Sequence, residues 1–314
     1  MGNYDFDSAV IGGGSAGYAT ARTTAAAGKR TVIIEAGGEL GGLCILRGCM
    51  PTKALLHAAD VRHQARRSSI WGLKPDEVSF DFAAVMRRKA AMVEEFASYR
   101  RGQLQDGRFE LIRALARFRD PHTLELDNGK AVTAEHIMIC TGSRVAELPL
   151  PGLTKLGCIT SDDALRLESL PKSIIVLGGG AVALEFAQFF ARFDVEVTLL
   201  QRSPHILKAF DDDGAGEVEA AFRAEGITVH TGCSLIDARH DGNEKMVVYE
   251  RDGVQHEVRA EAVFHGLGRS PNTGSLALEN GGVETERGRI LCDTHMRTST
   301  PHIYAGGDCT GPHE

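Results

Sequence analysis

The chain has 314 residues, enough for one large domain or two ordinary ones, and its 43% apolar and 25% charged residues describe a soluble globular chain rather than a disordered or collagen-like one. A net charge of −7 argues against a nucleic-acid binder, and no apolar run approaches the roughly 18 residues of a membrane span. The acidic N-terminus, Met1 to Asp7, is no signal peptide, and seven cysteines without a Cys-x-x-Cys repeat fit neither a zinc site nor a secreted disulfide framework, so a cytoplasmic location and no metal site are expected.

In chain order, Ser8–Ile11 reads as a short buried strand. Gly12-Gly13-Gly14-Ser15-Ala16-Gly17 follows, then an alanine-rich helix that ends before Gly28. Thr31–Ile34 is the next strand, closed by Glu35. Helices are predicted over Thr52–Arg67 and Phe82–Leu104, the second with a charged, solvated face around Met86–Arg101, and Trp71 falls in a loop between them. Strands are expected over Phe109–Phe118, Thr123–Leu126 and His136–Thr141, with Asp127-Asn128-Gly129 as a hairpin turn. Pro149 and Pro151-Gly152 mark a linker.

The first pattern then repeats, 166 residues on. Strand Ile174–Leu177 leads into Gly178-Gly179-Gly180-Ala181-Val182-Ala183, a helix to about Phe193 and a strand over Val195–Leu200. Met246–Glu250 and Val254–Val258 form a hairpin around Asp252-Gly253, and Ala262–Leu267 is a further strand. Both copies are the βαβ unit of a parallel sheet, so the expected fold is α/β with two Rossmann-like dinucleotide-binding domains.

The glycines of each turn let backbone N–H groups meet a pyrophosphate at a helix N-terminus. The copies differ at the end of the second strand. Glu35 stands 23 residues after Gly12, where a carboxylate accepts hydrogen bonds from a ribose 2′-hydroxyl. The same offset from Gly178 gives Gln201, followed by Arg202, which can grip a 2′-phosphate that a carboxylate would repel. The second site therefore favours NADPH over NADH. Two dinucleotides on one chain imply an electron relay.

The segment Leu40 to Lys53 carries two cysteines five apart, with Gly48 between them and Pro51 just after. Pro51 suits the first turn of the following helix, and Cys49 near that N-terminus would gain from the helix dipole. Lys53 adds a cation one turn further on. The pattern Gly41-Gly42-x-Cys44-x4-Cys49-x-Pro51-Thr52-Lys53 resembles the redox signature of the class I pyridine nucleotide–disulfide oxidoreductases, the family of dihydrolipoyl dehydrogenase, mercuric reductase and glutathione reductase. Thr141-Gly142-Ser143, Gly178 to Glu185, Gly268-Arg269-Ser270-Pro271-Asn272-Thr273 and Tyr304-Ala305-Gly306-Gly307-Asp308 resemble four further family motifs in the same order.

The resemblance implies that FAD is held by Gly12, Gly14, Ser15, Ala16, Gly17, Glu35, Ala36, Gly42, Leu43, Cys44, Cys49, Lys53, Ala116, Thr141, Gly142, Ser143, Arg269, Gly307 and Asp308. It implies that Gly178, Gly180, Ala181, Val182, Glu185, Gln201, Arg202 and Gly268 line the nicotinamide dinucleotide. Catalytic roles fall to Cys44, the outer thiol that exchanges with substrate, to Cys49 against the flavin in a redox-active disulfide with it, and to Lys53 paired with Glu185. The implied reaction passes two electrons between NADPH, FAD and the cysteines, to a small-molecule disulfide, dithiol or metal-ion substrate.

Two positions depart from the pattern. Ala181 stands where glutathione reductases carry a Tyr, and Cys140, read as a core residue, replaces the usual Ala before Thr141. The family also continues into an interface domain that supplies a dimer contact and an acid–base His–Glu pair. This chain ends at Pro312-His313-Glu314, so a truncated form, impaired in turnover and monomeric where the full-length form is a homodimer, is expected. The expected domains are 1–147 with 270–314 for FAD, and 148–269 for NAD(P). Rival readings are a low-molecular-weight thioredoxin reductase, a flavin oxidase or transhydrogenase that ignores the cysteines, and a non-enzymatic FAD-binding remnant. Cys158, Cys233, Cys292 and Cys309 read as structural or surface residues.

Overall fold

The computed structural model describes residues 4–74 and 77–311, so the expectations placed on the first three and last three residues lie outside it. The chain forms two compact units, Met1–Leu46 with Val93–Val145 and Arg269–Glu314, and Arg47–Met92 with Ala146–Gly268. By their contacts, residues 47–92 group with the second unit.

In the first unit, β1 (Phe6–Ile11), α1 (Ser15–Ala26) and β2 (Thr31–Ile34) form the first βαβ unit, paired in parallel from Ser8 against Thr31 to Ile11 against Ile34. All four residues of β2 are buried, as a strand covered on both faces requires. A short helix, α2 (Gly42–Leu46), follows. The chain then passes through α3 (Cys49–Arg66) of the second unit and α4 (Phe82–Leu104), whose residues are shared between the units.

Back in the first unit come β3 (Glu110–Ile112), β4 (Ala116–Asp120), β5 (Thr123–Leu126), β6 (Ala131–Ile139) and β7 (Ser143–Val145). The single strand expected over Phe109–Phe118 is two, because Glu110–Ile112 pairs in parallel with β2 while Ala116–Asp120 turns antiparallel onto β5. The hairpin turn is as expected, with Gly129 at φ 82°. β6 starts five residues before His136, since its first residues pair with β5 before the strand enters the parallel sheet beside β1.

The second unit continues with α5 (Pro151–Lys155), α6 (Ser161–Ala164), β8 (Ser173–Leu177), α7 (Ala181–Arg192), β9 (Glu196–Leu200), α8 (Asp212–Ala224) and β10 (Thr228–His230). Next are β11 (Ser234–Asp241), β12 (Glu244–Arg251), β13 (Val254–Ala260) and β14 (Ala262–His265). The parallel sheet runs β10-β9-β8-β14, and β11-β12-β13 form a separate antiparallel sheet. The polar β11 carries too little apolar alternation to be read as a strand from sequence. Phe186, Phe189 and Phe190 of α7 are fully buried, with Phe264 against Phe186 at 4.9 Å between ring centres. Burying each such ring contributes about 1.5–3 kcal/mol.

The first unit closes with β15 (Arg269–Pro271), β16 (Thr285–Glu286), β17 (Arg289–Ile290) and β18 (Ile303–Ala305). β18 pairs in parallel with β6, which makes a seven-stranded sheet in the order β3-β2-β1-β6-β5-β4 with β18 on β6. Trp71 lies in a 3-10 turn, Ser68–Trp71, and is exposed. Among the described residues no helix is long and apolar enough to cross a membrane.

Candidate functional site: two glycine turns and a cysteine-bearing helix

In the first unit, Gly12 has φ 102°, and a Cβ there would strike the carbonyl of Cys140 at the end of β6. Gly17 packs on the carbonyl of Gly12 with no space for a methyl group. Gly14 caps α1 without a side chain, and the first turn of α1 carries no acidic residue. The N–H groups of that turn, which include Ser15 and Ala16, therefore face a position where an anion is favoured. Glu35 closes the turn from the side: its Oε2 accepts from the N–H of Gly13 at 2.5 Å and its Oε1 from Gly37 at 2.7 Å. Ala36 beside it is exposed. Gly42, at φ 75°, comes so close to Gly14 that a Cβ would lie 2.5 Å from its Cα, and Leu43 follows, half-buried on α2. These are the features of a cradle for a dinucleotide phosphate, and FAD fits it.

The ends of β6 and β18 bring further predicted residues together. Arg269 Nε donates to Ser143 Oγ at 2.7 Å, and Ser143 Oγ donates to Asp308 Oδ2 at 2.7 Å. Thr141 and Gly142 lead into Ser143, and Gly307, at φ 82°, would place a Cβ 3.4 Å from that of Ala16. Ala116 opens β4 with its methyl group in the core, which leaves only its backbone for contact. Cys140 is buried, as expected, and burial pushes its thiol up to about 12.

The second unit repeats the turn. Gly178 has φ 108°, and a Cβ there would strike the carbonyl of Gly266. Gly180 caps α7 without a side chain, no acidic residue stands in the first turn, and Ala181 and Val182 are exposed there. The side chain of Gln201 lies against Gly179 where Glu35 lies against Gly13. Arg202 is exposed and makes no ion pair among the described residues. Gly268, at φ 110°, ends the unit.

Sequence reasoning missed Gly266. In the first turn the small residue is Gly17 on α1, and the strand opposite ends in Cys140. In the second turn Ala183 is on α7, and the strand opposite ends in Gly266, where a Cβ would lie 2.7 Å from that of Ala183. Space lost at one side of the turn is recovered at the other.

Cys49 is the first residue of α3, exposed, behind Gly48 as an N-cap without a side chain. Lys53, one turn along, pairs with Glu185 of α7. Cys44 sits half-buried on α2 of the first unit. The redox-active pairing expected of Cys44 and Cys49 links a residue of the first unit to one of the second.

The chain is 34% identical over 314 residues to a mercuric reductase of Bacillus cereus, with 99% of this chain and 49% of the relative covered. It is 35% identical to a dihydrolipoyl dehydrogenase of Geobacillus stearothermophilus, with 95% and 64% covered. It thus spans about half to two thirds of the length of these curated relatives. Its structure is similar to that of the HOCl-induced flavoprotein disulfide reductase RclA from Escherichia coli, at a TM-score of 0.84 and 31% identity, over 98% of this chain and 66% of that one. The family model for pyridine nucleotide-disulphide oxidoreductases matches residues 6–314. The chain belongs to that family.

Proposed function

We propose that the chain is a flavin-dependent oxidoreductase that passes two electrons between NADPH, FAD and a redox-active Cys44–Cys49 couple, and from there to a disulfide, dithiol or metal-ion substrate. The observation that carries this reading is the start of α3: an exposed cysteine at the first helical position, with the Lys53–Glu185 pair one turn on and Glu185 rising from the second glycine turn. A reading in which the cysteines are inert leaves that arrangement without a use.

FAD, when bound, supplies a two-electron carrier between a hydride donor and a disulfide. Gly12, Gly14 and Gly17 would hold its pyrophosphate on the N-terminus of α1, and Glu35 would receive its ribose hydroxyls. Arg269, Ser143 and Asp308 form the polar chain that meets the rest of the molecule. Gly178, Gly180 and the N-terminus of α7 hold the second dinucleotide. The missing carboxylate at Gln201 and the exposed Arg202 favour a 2′-phosphate, hence NADPH.

Two electrons convert the Cys44–Cys49 disulfide to two sulfurs in the reduced state. Cys44, as thiolate, attacks a substrate disulfide, forms a mixed disulfide and expels one substrate thiolate. Cys49 then attacks the Cys44 sulfur, which re-forms the intrachain disulfide and releases the second substrate thiolate. The absence of a disulfide framework suits a reducing cytoplasm.

The test is an anaerobic NADPH titration of the FAD-loaded chain beside its Cys44→Ser variant. Wild type holds two two-electron centres and the variant one, so wild type should take up twice the NADPH before the titration ends. Equal uptake overturns the role of the cysteines, and a flavin that NADPH leaves oxidised overturns the whole reading.

A further inference from the structure

We propose that Arg192, at the C-terminus of α7, is a positioning residue for the Lys53–Glu185 pair. The proposal rests on the role given to that pair above, and every group it uses lies in the second unit.

Lys53 of α3 pairs with Glu185 of α7, and Asp60 of α3 pairs with Arg192 of α7. Seven residues separate the members on each helix. Seven residues are close to two helical turns, so each helix presents both of its charges on one face. Two cross-helix pairs with the same step mean that α3 and α7 run parallel and in register. The polarity reverses between them, cation on α3 at the first and anion on α3 at the second.

The seam between the pairs is apolar, with Leu55 and Ala59 of α3 in one core cluster with Phe186, Phe189 and Phe190 of α7. Such a surface holds two helices together but discriminates weakly between registers, whereas charged groups specify one. A slip of one residue would move Lys53 by about 1.5 Å along the axis and about 100° around it, away from Glu185.

The second pair is the better anchored. Lys53 is 60% exposed, whereas Arg192 is 12% exposed and Glu225 beside it 13%. Arg192 grips Glu225 with both arms, Nε to Oε2 and Nη2 to Oε1 at 2.7 Å each. Gln188 Nε2 also donates to Glu225 at 3.1 Å, and His63 of α3 stands 3.9 Å away. Arg62 of α3 donates to the carbonyl of Arg192 and to Asp194. A half-buried, forked guanidinium fixed to its own unit on one side and to Asp60 on the other sets where α3 lies on α7. Through α3 it sets Lys53 against Glu185.

The experiment is zero-length carbodiimide coupling of the full chain, which joins an amine to a carboxylate only when they touch, read by peptide mapping. Wild type should give a Lys53–Glu185 cross-link. Arg192→Met should lower its yield by about fivefold or more, the size of coupling neighbouring network residues show. Arg192→Lys should restore part of it. Asp60→Asn, at a half-exposed position, should act in the same direction as Arg192→Met. Phe222→Leu, a core change off α3, should leave the yield unchanged. Equal yields in wild type, Arg192→Met and Asp60→Asn overturn the proposal. So does an equal loss in Phe222→Leu, which would mean general loosening. NADPH reduction of the flavin is measured on the same samples. A lost cross-link with an unchanged reduction rate upholds the positioning and overturns the role given to Lys53 and Glu185.

Discussion

At each glycine turn the deciding quantity is the volume of one methyl group. The close approach of Ala183 and Gly266 leads to a test of the exchange between the two turns. Gly266→Ala should destabilise the chain by about 1–3 kcal/mol in urea unfolding, the usual range for overpacking. Ala183→Gly alone should cost about 1 kcal/mol for glycine in a helix. Together they should cost less than their sum by at least about 1 kcal/mol, and strict additivity would refute the contact. Arg202 is the second residue-scale test. Arg202→Glu should reverse or erase the preference for NADPH over NADH, since a charge-assisted contact to phosphate contributes about 1.5–3 kcal/mol, roughly ten- to a hundredfold in affinity. Equal affinities in wild type would remove its role. The place of Gln201 against the second turn was legible in the sequence because it stands at a fixed offset within one βαβ unit. Gly266 was not, because its partner lies across the sheet and no local pattern connects the two.

Among the elements, α3 carries the chemistry at its first turn and the anchoring network toward its end. Its start was legible to within three residues, at Cys49 rather than Thr52, because Gly48, Cys49, Pro51 and Lys53 are neighbours in the chain. Its attachment was not, since Asp60 and Arg192 are 132 residues apart and neither belongs to a motif. That attachment has a pH signature. Burial, with help from the Arg192 and Arg67 charges and against the pull of Glu225, holds His63 below its ordinary 6.5. Burial by itself would raise the carboxyl of Glu225, but the hydrogen bonds and charge of Arg192 more than offset it and hold it below 4.5. Both groups have folded pKa values below their unfolded ones, so both contributions are complete at neutral pH and are lost on acidification. The first loss starts as pH falls through 6.5, where unfolded His63 takes up a proton that the folded ring resists, and the second below 4.5. His63→Gln should therefore lose less stability than wild type between about pH 7 and pH 5.5, measured as urea midpoints. Identical slopes would show that this histidine titrates as it does in the unfolded chain.

Over the whole molecule, the two βαβ units were legible because each is a local pattern of buried strand, glycine turn and helix. The polar strand β11 was not, because it pairs locally with β12 but carries too little apolar alternation to mark a strand. Two compact units, each with its own capless helix N-terminus over a glycine turn, give a chain-wide test of which dinucleotide goes where. A ligand that binds the folded state stabilises it by about 2.7 kcal/mol at a hundred times its Kd. FAD should therefore raise the melting temperature, and NADPH should raise it too. Gly12→Ala, which would press a methyl group onto the Cys140 carbonyl, should abolish the shift with FAD and keep the shift with NADPH. Gly178→Ala, against the Gly266 carbonyl, should do the reverse. Each variant starts from a lowered melting temperature, so the quantity compared is the shift and not its baseline. A Gly12→Ala chain that loses both shifts, while still melting cooperatively, would mean that the second turn does not bind NADPH without the first, and the assignment of one dinucleotide to each turn would fail.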